Sequence, residues 1–342
     1  MPRHKRPYWA KWTDDELLDL RICDLELDID GTWLAERRNA LYDNLERRGF
    51  HFRPHLWLSN DWFTPDGVPG FAVPFYVAHP RLVQMEKSRV GLVEGATRDE
   101  CLAIMRHETG HALMNAYRIH WRRNWQRRFG KSTRKYPRYY RPNPGSRHYV
   151  QHLRMFYAQS HPTEDFAETF AVWLQSSSGT WRRRYEGWPA LRKLEMVDEL
   201  MTELMKDRPL VRSTEKIDPV RKLKTTLRDF WEEREKGAGG GFSTIYDSDL
   251  LRIFSDAPAH RRHKLASTFL RENRTEIRQL VSRCTGEHNY TLEHVFDEMV
   301  ERSRRLRLRA VGSASRLRTE FAIVLTANTL HLQYSRRRWV EL

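Results

Sequence analysis

The sequence predicts an α+β fold with a small sheet, one long capped helix and a mostly helical C-terminal region. Two segments of extended character, 50–59 and 71–79, each carry a proline and indicate a small sheet. Thr97-Arg-Asp-Glu100 has the pattern of a helix N-terminus, and helical periodicity dominates after residue 242. We expect a domain at 1–212, a helix with a Gly-rich linker at 213–241, and a helical accessory region at 242–342.

The helices are predicted from the spacing of apolar residues and from end signals. A helical segment from Asp14 to Arg48 is interrupted at Gly31, and the helix capped by Thr97 runs to about His120. The proline-rich stretch 121–148 is predicted as a long loop with one helical turn. Further helices are predicted at Tyr149–Ala158, at Thr163–Gln175 with Pro162 in the first turn, at Pro189–Met205 and at Pro219–Lys236.

Composition limits the class of protein. The three cysteines, Cys23, Cys101 and Cys284, are far apart and form no C-x-x-C pair, which is typical of reduced thiols rather than a disulfide framework. The basic N-terminus leads into Trp-Thr-Asp-Asp-Glu and not into an apolar segment, so no signal peptide is predicted. The longest apolar stretches are too short to span a bilayer. We expect a soluble, cytoplasmic protein without a membrane partner.

The formal net charge of +15 is concentrated in one stretch. Between Thr109 and Thr163 there is no Asp or Glu, while Arg and Lys alternate there with Tyr and Trp. This stretch has two interpretations, a surface that attracts acidic substrates or nucleic acid, and a solvated flap.

His107-Glu-Thr-Gly-His111 lies within the predicted capped helix. Residues four apart on a helix share a face, so His107 and His111 can present both imidazoles to one metal ion. Glu108 is rotated along the helix and can act as a general base toward a water molecule. The pentapeptide alone is only moderately specific, and the alternative is an ordinary helix that carries two histidines.

A second acidic segment strengthens the metal interpretation. Glu164 and Glu168 are four apart on the helix that follows Pro162 and therefore share a face. Two histidines with Glu164 as a third ligand leave one position open, as in catalytic zinc sites. Glu168 is placed to accept the N–H of a ligand histidine. His152 and His161 are alternatives to Glu164 as third ligand, although His161 precedes Pro162, where a capping role is more ordinary.

His107-Glu-Thr-Gly-His111 followed by Glu164-Asp-Phe-Ala-Glu168 resembles the gluzincin pattern. The form Glu-Asp-Phe-Ala-Glu-Thr-Phe is similar to a bacterial family of zinc-binding metallopeptidases, and more distantly to the catalytic domain of anthrax lethal factor. The resemblance covers about residues 97–175 and implies a zincin-like domain, bound Zn²⁺, and hydrolysis of a protein or peptide substrate. In that group the first Glu of the second motif is a ligand and the second supports a ligand, which corresponds to Glu164 and Glu168.

The resemblance also implies a role for Tyr157, which lies seven residues before Glu164. A tyrosine at this position stabilises the oxyanion in lethal-factor-like enzymes, and the alternative is a tyrosine that only packs its helix.

Three rival functions stay open at this point. One is a basic nucleic-acid-binding protein whose zincin domain is inactive or acts on DNA-linked proteins, although known enzymes of that kind typically use a third histidine. The others are a helical scaffold without metal and a zinc hydrolase that acts on a non-peptide amide.

Overall fold

The computed structural model describes residues 7–90, 93–137, 139–143, 145–237, 246–285, 289–334 and 340–341. The chain forms two compact units. The first consists of Met1–Arg138, Arg147–Gly239 and Leu342, and the second of Tyr139–Ser146 and Gly240–Glu341. Within the described residues, no helix is both long and apolar enough to cross a membrane. The Gly-rich linker predicted at 237–241 lies, apart from Gly237, outside the described residues.

The first unit contains a small parallel sheet. Strands β1 (His55–Ser59) and β2 (Gly70–Pro74) pair with Trp57 opposite Ala72, and Phe63 forms an antiparallel bridge to Ala72 on the other side of β2. β2 is buried along its whole length, because the helices of this unit cover it. A sheet within a mostly helical unit confirms the predicted α+β fold.

The helices of the first unit are α1 (Asp14–Leu18), α2 (Leu34–Arg47), α3 (Pro80–Arg89), α4 (Arg98–Tyr117), α5 (Arg123–Phe129), α6 (Pro162–Gln175), α7 (Ser178–Arg184), α8 (Leu191–Leu204) and α9 (Leu227–Gly237). Thr97 caps α4 as predicted, since its hydroxyl accepts the N–H of Glu100 at 3.2 Å. Pro162 occupies the first turn of α6, also as predicted.

One predicted helix is absent, and the helix predicted at Pro219–Lys236 begins only at Leu227. The stretch Tyr149–Ala158 contains no α-helix, and Arg154–Gln159 forms a kinked 3-10 turn in its place. Met155 and Phe156 have φ angles of 59° and 56°, which no α-helix accommodates. The predicted loop 121–148 contains the two-turn helix α5, because Trp125 and Phe129 pack into the core.

The helix α9 packs on the first unit. Its Trp231 is fully buried and donates to the carboxylate of Glu86 on α3 at 2.6 Å, and Arg234 contacts the same carboxylate. Residues of α9 thus belong to the hydrophobic core of the first unit. The domain boundary at residue 212 stays a prediction.

The second unit has a hydrophobic core of its own. Its helices are α10 (Asp247–Ile253), α11 (Ala266–Glu272), α12 (Arg274–Thr285), α13 (Asn289–Arg305) and α14 (Ala314–Tyr334), and β3 (Tyr139–Tyr140) pairs antiparallel with β4 (Val340–Glu341). Phe296 and Phe321 are fully buried there and contact each other edge to face at 5.5 Å. This agrees with the predicted helical C-terminal region.

Candidate metal centre

The site is built where α4 and α6 approach most closely. A Cβ atom added to Gly110 of α4 would lie 2.8 Å from the Cα atom of Ala167 on α6. Only glycine permits this approach, because any larger residue would meet the backbone of α6. The close contact places the histidine face of α4 opposite the glutamate face of α6.

Three donor groups converge at this point: His107 and His111 from α4, and Glu164 from α6. The two histidine Nε2 atoms are 3.2 Å apart, and Glu164 Oε2 lies 3.0 Å from that of His107 and 3.1 Å from that of His111. An ion held tetrahedrally at about 2.0–2.1 Å, as zinc is, has ligand atoms about 3.3 Å apart. The spacing and the chemistry of the donors therefore fit such an ion. We call these three residues the metal cluster.

Glu168 supports the cluster from the side away from the ion position. Its Oε1 lies 2.7 Å from Nδ1 of His107, and its Oε2 accepts the backbone N–H of Leu153 at 2.8 Å. A carboxylate here favours the proton on Nδ1 and directs the Nε2 lone pair of His107 toward the cluster.

The electrostatics of the cluster follow from two carboxylates beside buried imidazoles. Burial lowers the pKa of His107, but hydrogen bonds to Glu164 and Glu168 outweigh it and hold this pKa well above its ordinary value, so a metal ion that binds here must displace the proton on Nε2. Burial likewise raises the pKa of Glu164, and the electrostatic attraction of His111 with hydrogen bonds from both histidines brings it well below its usual range. The cluster thus presents an ionised carboxylate, as a metal ligand must be.

Glu108 lies beside the metal cluster and faces a cavity of about 940 Å³. Its Oε2 accepts a hydrogen bond from the hydroxyl of Thr64 at 2.7 Å. Thr64 follows the Phe63 bridge, so the sheet side of the unit fixes the orientation of this carboxylate. Glu108 is only 7% exposed but lines the cavity, which gives it access to a water molecule there.

Two tyrosines reach the same cavity. The ring of Tyr157 lies 5.6 Å from that of His107, and the kinked turn at Met155 and Phe156 brings it there. The second, Tyr136, is absent from the sequence prediction. Its hydroxyl donates to Oε1 of Glu164 at 2.6 Å and lies 2.5 Å from the hydroxyl of Thr163. Burial and the negative charge of Glu164 raise the pKa of Tyr136, so this hydroxyl keeps its proton and stays a donor.

The alternative ligands lie elsewhere. His161 caps α6 by accepting the N–H of Thr163, and its Nε2 contacts the carbonyl of Arg134 at 2.7 Å. His152 places its Nε2 3.0 Å from the carbonyl of Ala103. Neither belongs to the group of donors that can hold one ion among the described residues.

Sequence reasoning missed Tyr136 and Thr64 because both come from irregular segments. Tyr136 lies in the basic, aromatic stretch, and this composition alone is only a weak indication that a residue belongs to the site. Thr64 has no motif around it, and only the fold brings it to Glu108.

The comparisons with known proteins concern the segment that builds this site. Residues 77–183, about a third of the chain, match the model of one protein family. No curated protein and no solved structure matches the chain significantly. The distant likeness to anthrax lethal factor therefore stays a prediction. The family that residues 77–183 match is described as "Putative zinc-binding metallo-peptidase", which confirms the predicted resemblance for the segment that contains the metal cluster.

Proposed function

We propose that this protein is a zinc-dependent peptidase that hydrolyses peptide bonds in the cavity beside the metal cluster. The observation that carries the proposal is the convergence of His107, His111 and Glu164 at the spacing of tetrahedral zinc ligands. The family match supports the same class of protein. A zinc ion bound there would supply a Lewis acid for the scissile carbonyl and lower the pKa of water toward neutrality.

Glu108 is the proposed general base. It lies next to His107 in the sequence but is not part of the metal cluster, and its carboxylate faces the cavity. In this role Glu108 removes a proton from the attacking water and delivers it to the leaving amine. The hydrogen bond from Thr64 holds one of its oxygens in place and leaves the other for the water molecule.

Tyr157 is the proposed donor to the oxyanion. A phenol hydroxyl is a suitable donor to the negative charge that develops on the carbonyl oxygen. Its proximity to His107 and its place in the cavity wall support this role. Tyr136 is already engaged with Glu164, so we assign it the separate task of orienting that ligand.

We place the protein in the cytoplasm. Cys23 and Cys101 are both free thiols, and burial raises the pKa of Cys101 to about 12. Thiols that form no disulfide are typical of a reducing compartment.

The metal and the base are tested together on tag-free protein. Metal content by mass spectrometry should be near one zinc per chain in wild type, strongly reduced in Glu164→Ala, and retained in Glu108→Gln. Hydrolysis of labelled casein should be lost in both variants. Glu199→Ala removes an exposed glutamate of α8 and should change neither measurement.

Two results would contradict the proposal. Wild-type protein without zinc after reconstitution would exclude the metal role of the cluster. Zinc without hydrolysis, together with salt-sensitive oligonucleotide binding that survives Glu108→Gln, would favour the nucleic-acid-binding interpretation instead.

A further inference from the structure

Two groups of residues that differ in chemistry line the cavity beside the metal cluster. One group consists of Trp62, Phe63 and Thr64 on the sheet side. The other consists of three exposed cationic side chains, Arg118, Arg134 and Lys135, and we call these the cationic wall. A cavity of about 940 Å³ is at the upper end of the range for ligand pockets and can hold several residues of an extended peptide.

The cationic wall has no carboxylate partner among the residues that the structure describes. In the described part of the chain, Arg118, Arg134 and Lys135 form no ion pair, whereas nearby Arg122 pairs with Glu203 at 2.8 Å. Asp66 is the single acidic residue that lines the cavity besides Glu108 and Glu164, among the residues described. Apart from Glu108 and the metal cluster, three cations and one carboxylate line the cavity, so this part of its lining carries a net positive charge.

The position of Arg118 is fixed. It ends α4 with φ 51° and ψ 39°, a left-handed conformation that costs a residue with a side chain about 1–2 kcal/mol. Its guanidinium lies 4.5 Å above the ring of Trp121, which is 60% exposed and also lines the cavity. The contact with an indole face holds the charge at the cavity edge and not extended into solvent.

The positions of Arg134 and Lys135 are fixed through their neighbours. The carbonyl of Arg134 contacts His161, and the ring of Tyr136 stacks on the same histidine with centroids 3.8 Å apart. The hydroxyl of Tyr136 in turn donates to Glu164. The backbone that carries both cations is thus tied to His161 and, through Tyr136, to Glu164 of the metal cluster.

We propose that the cationic wall selects peptides that carry Asp or Glu near the scissile bond. The inference rests on the proposed peptidase function and names its substrate class. A carboxylate in the cavity gains a pairing that the described residues do not provide, while a Lys or Arg side chain meets like charge. We favour an acidic peptide over nucleic acid because the cations line the same cavity as Glu108, where a scissile peptide bond must lie.

Binding is measured without turnover in zinc-loaded Glu108→Gln protein. The probes are a fluorescein-labelled peptide of alternating Ala and Glu and a matched peptide in which Gln replaces Glu. We expect the Glu peptide to bind about tenfold more tightly by fluorescence anisotropy. Adding Arg118→Gln or Lys135→Gln should weaken its binding about three- to fivefold each, and should leave the Gln peptide unchanged.

The control variant removes the same positive charge at a position away from the cavity. Arg127 is exposed on α5 and does not line the cavity, so Arg127→Gln should leave both affinities as they are. Equal affinity for the Glu and Gln peptides would overturn the proposal. So would an equal loss in Arg127→Gln, because the attraction would then be general. Tighter binding of an oligothymidylate, lost in Arg118→Gln, would assign the wall to nucleic acid.

The two proposals fail in different ways. If wild-type protein prefers the Glu peptide but hydrolyses nothing, the cationic wall stands and the peptidase function falls. If wild type cleaves the Glu and Gln peptides with equal kcat/KM, the peptidase stands and the selectivity falls.

Discussion

Glu164 is held by side chains on opposite sides of its carboxylate. Its Oε2 faces the two histidines, and its Oε1 accepts the hydroxyl of Tyr136. A carboxylate ligand that is hydrogen-bonded on its second oxygen loses less freedom when it binds a metal ion. The tyrosine is therefore part of the metal site although it donates no ligand atom.

Replacing Tyr136 with Phe should weaken zinc binding about tenfold, because Glu164 then loses its orienting hydrogen bond. The measurement is a competition titration with a zinc chelator of known affinity. Tyr42→Phe is the matched control, since the hydroxyl of Tyr42 donates to the carbonyl of Pro54, away from the cavity. Unchanged zinc affinity in Tyr136→Phe would show that Glu164 is oriented by the histidines alone.

The helical part of the site could be predicted from the sequence, and the irregular part could not. His107 and His111 are four residues apart on one helix, so their shared face follows from local geometry. The same holds for Glu164 and Glu168. Tyr136 and Thr64 approach these residues from segments without periodicity, and their positions depend on tertiary contacts that no local pattern records.

Among the elements, the pair α4 and α6 determines whether the metal cluster forms. Gly110 lies between His107 and His111, on the turn that touches Ala167. Separation of the two helices would move Glu164 away from both histidines at once. The spacing of this helix pair is thus a condition for metal binding.

Gly110→Ala should lower the free energy of unfolding of the first unit by about 2 kcal/mol, because the added methyl meets the backbone of α6. Zinc affinity should fall with it. Urea unfolding followed by tryptophan fluorescence and the chelator titration measure the two effects. Gly179→Ala in α7 is the control, since a Cβ there meets no atom within 4 Å, and it should be neutral or slightly stabilising. Full zinc affinity in Gly110→Ala would mean that α6 can shift without moving Glu164.

Residues typical of helix N-termini predicted the helices better than the content of apolar residues did. The caps of α4 and α6 act through adjacent backbone groups, so Thr97 and Pro162 could be recognised locally. The stretch 149–158 has the apolar content of a helix, but the N–H of Leu153 donates to Glu168 and Met155 turns left-handed. A long-range hydrogen bond here outweighs local propensity, and so the predicted helix is absent.

Among the described residues, each compact unit has a large hydrophobic core of its own, and a small cluster of Trp57, Val68 and Ala72 lies at the sheet of the first unit. The metal cluster belongs entirely to the first. A ligand that binds only the folded state stabilises the unit that contains its site, by about 2.7 kcal/mol when free zinc is a hundredfold above Kd.

Removing zinc with EDTA should lower the Tm of the first unit by about 5–10 °C. Tryptophan fluorescence reports this unit, because eleven of the twelve tryptophans precede residue 240 and the remaining one is Trp339. An unchanged Tm after EDTA treatment of zinc-loaded protein would contradict zinc binding in this unit.

The turn before Tyr157 determines which residues position 155 can accept during evolution. Met155 and Phe156 are both left-handed, and asparagine and glycine enter that region most easily. Valine or isoleucine at position 155 would preserve the apolar character but distort the turn, since β-branched residues resist positive φ. The backbone conformation therefore limits which substitutions position 155 tolerates. A ranking of substitutions by hydrophobicity alone would wrongly favour valine and isoleucine over asparagine and glycine.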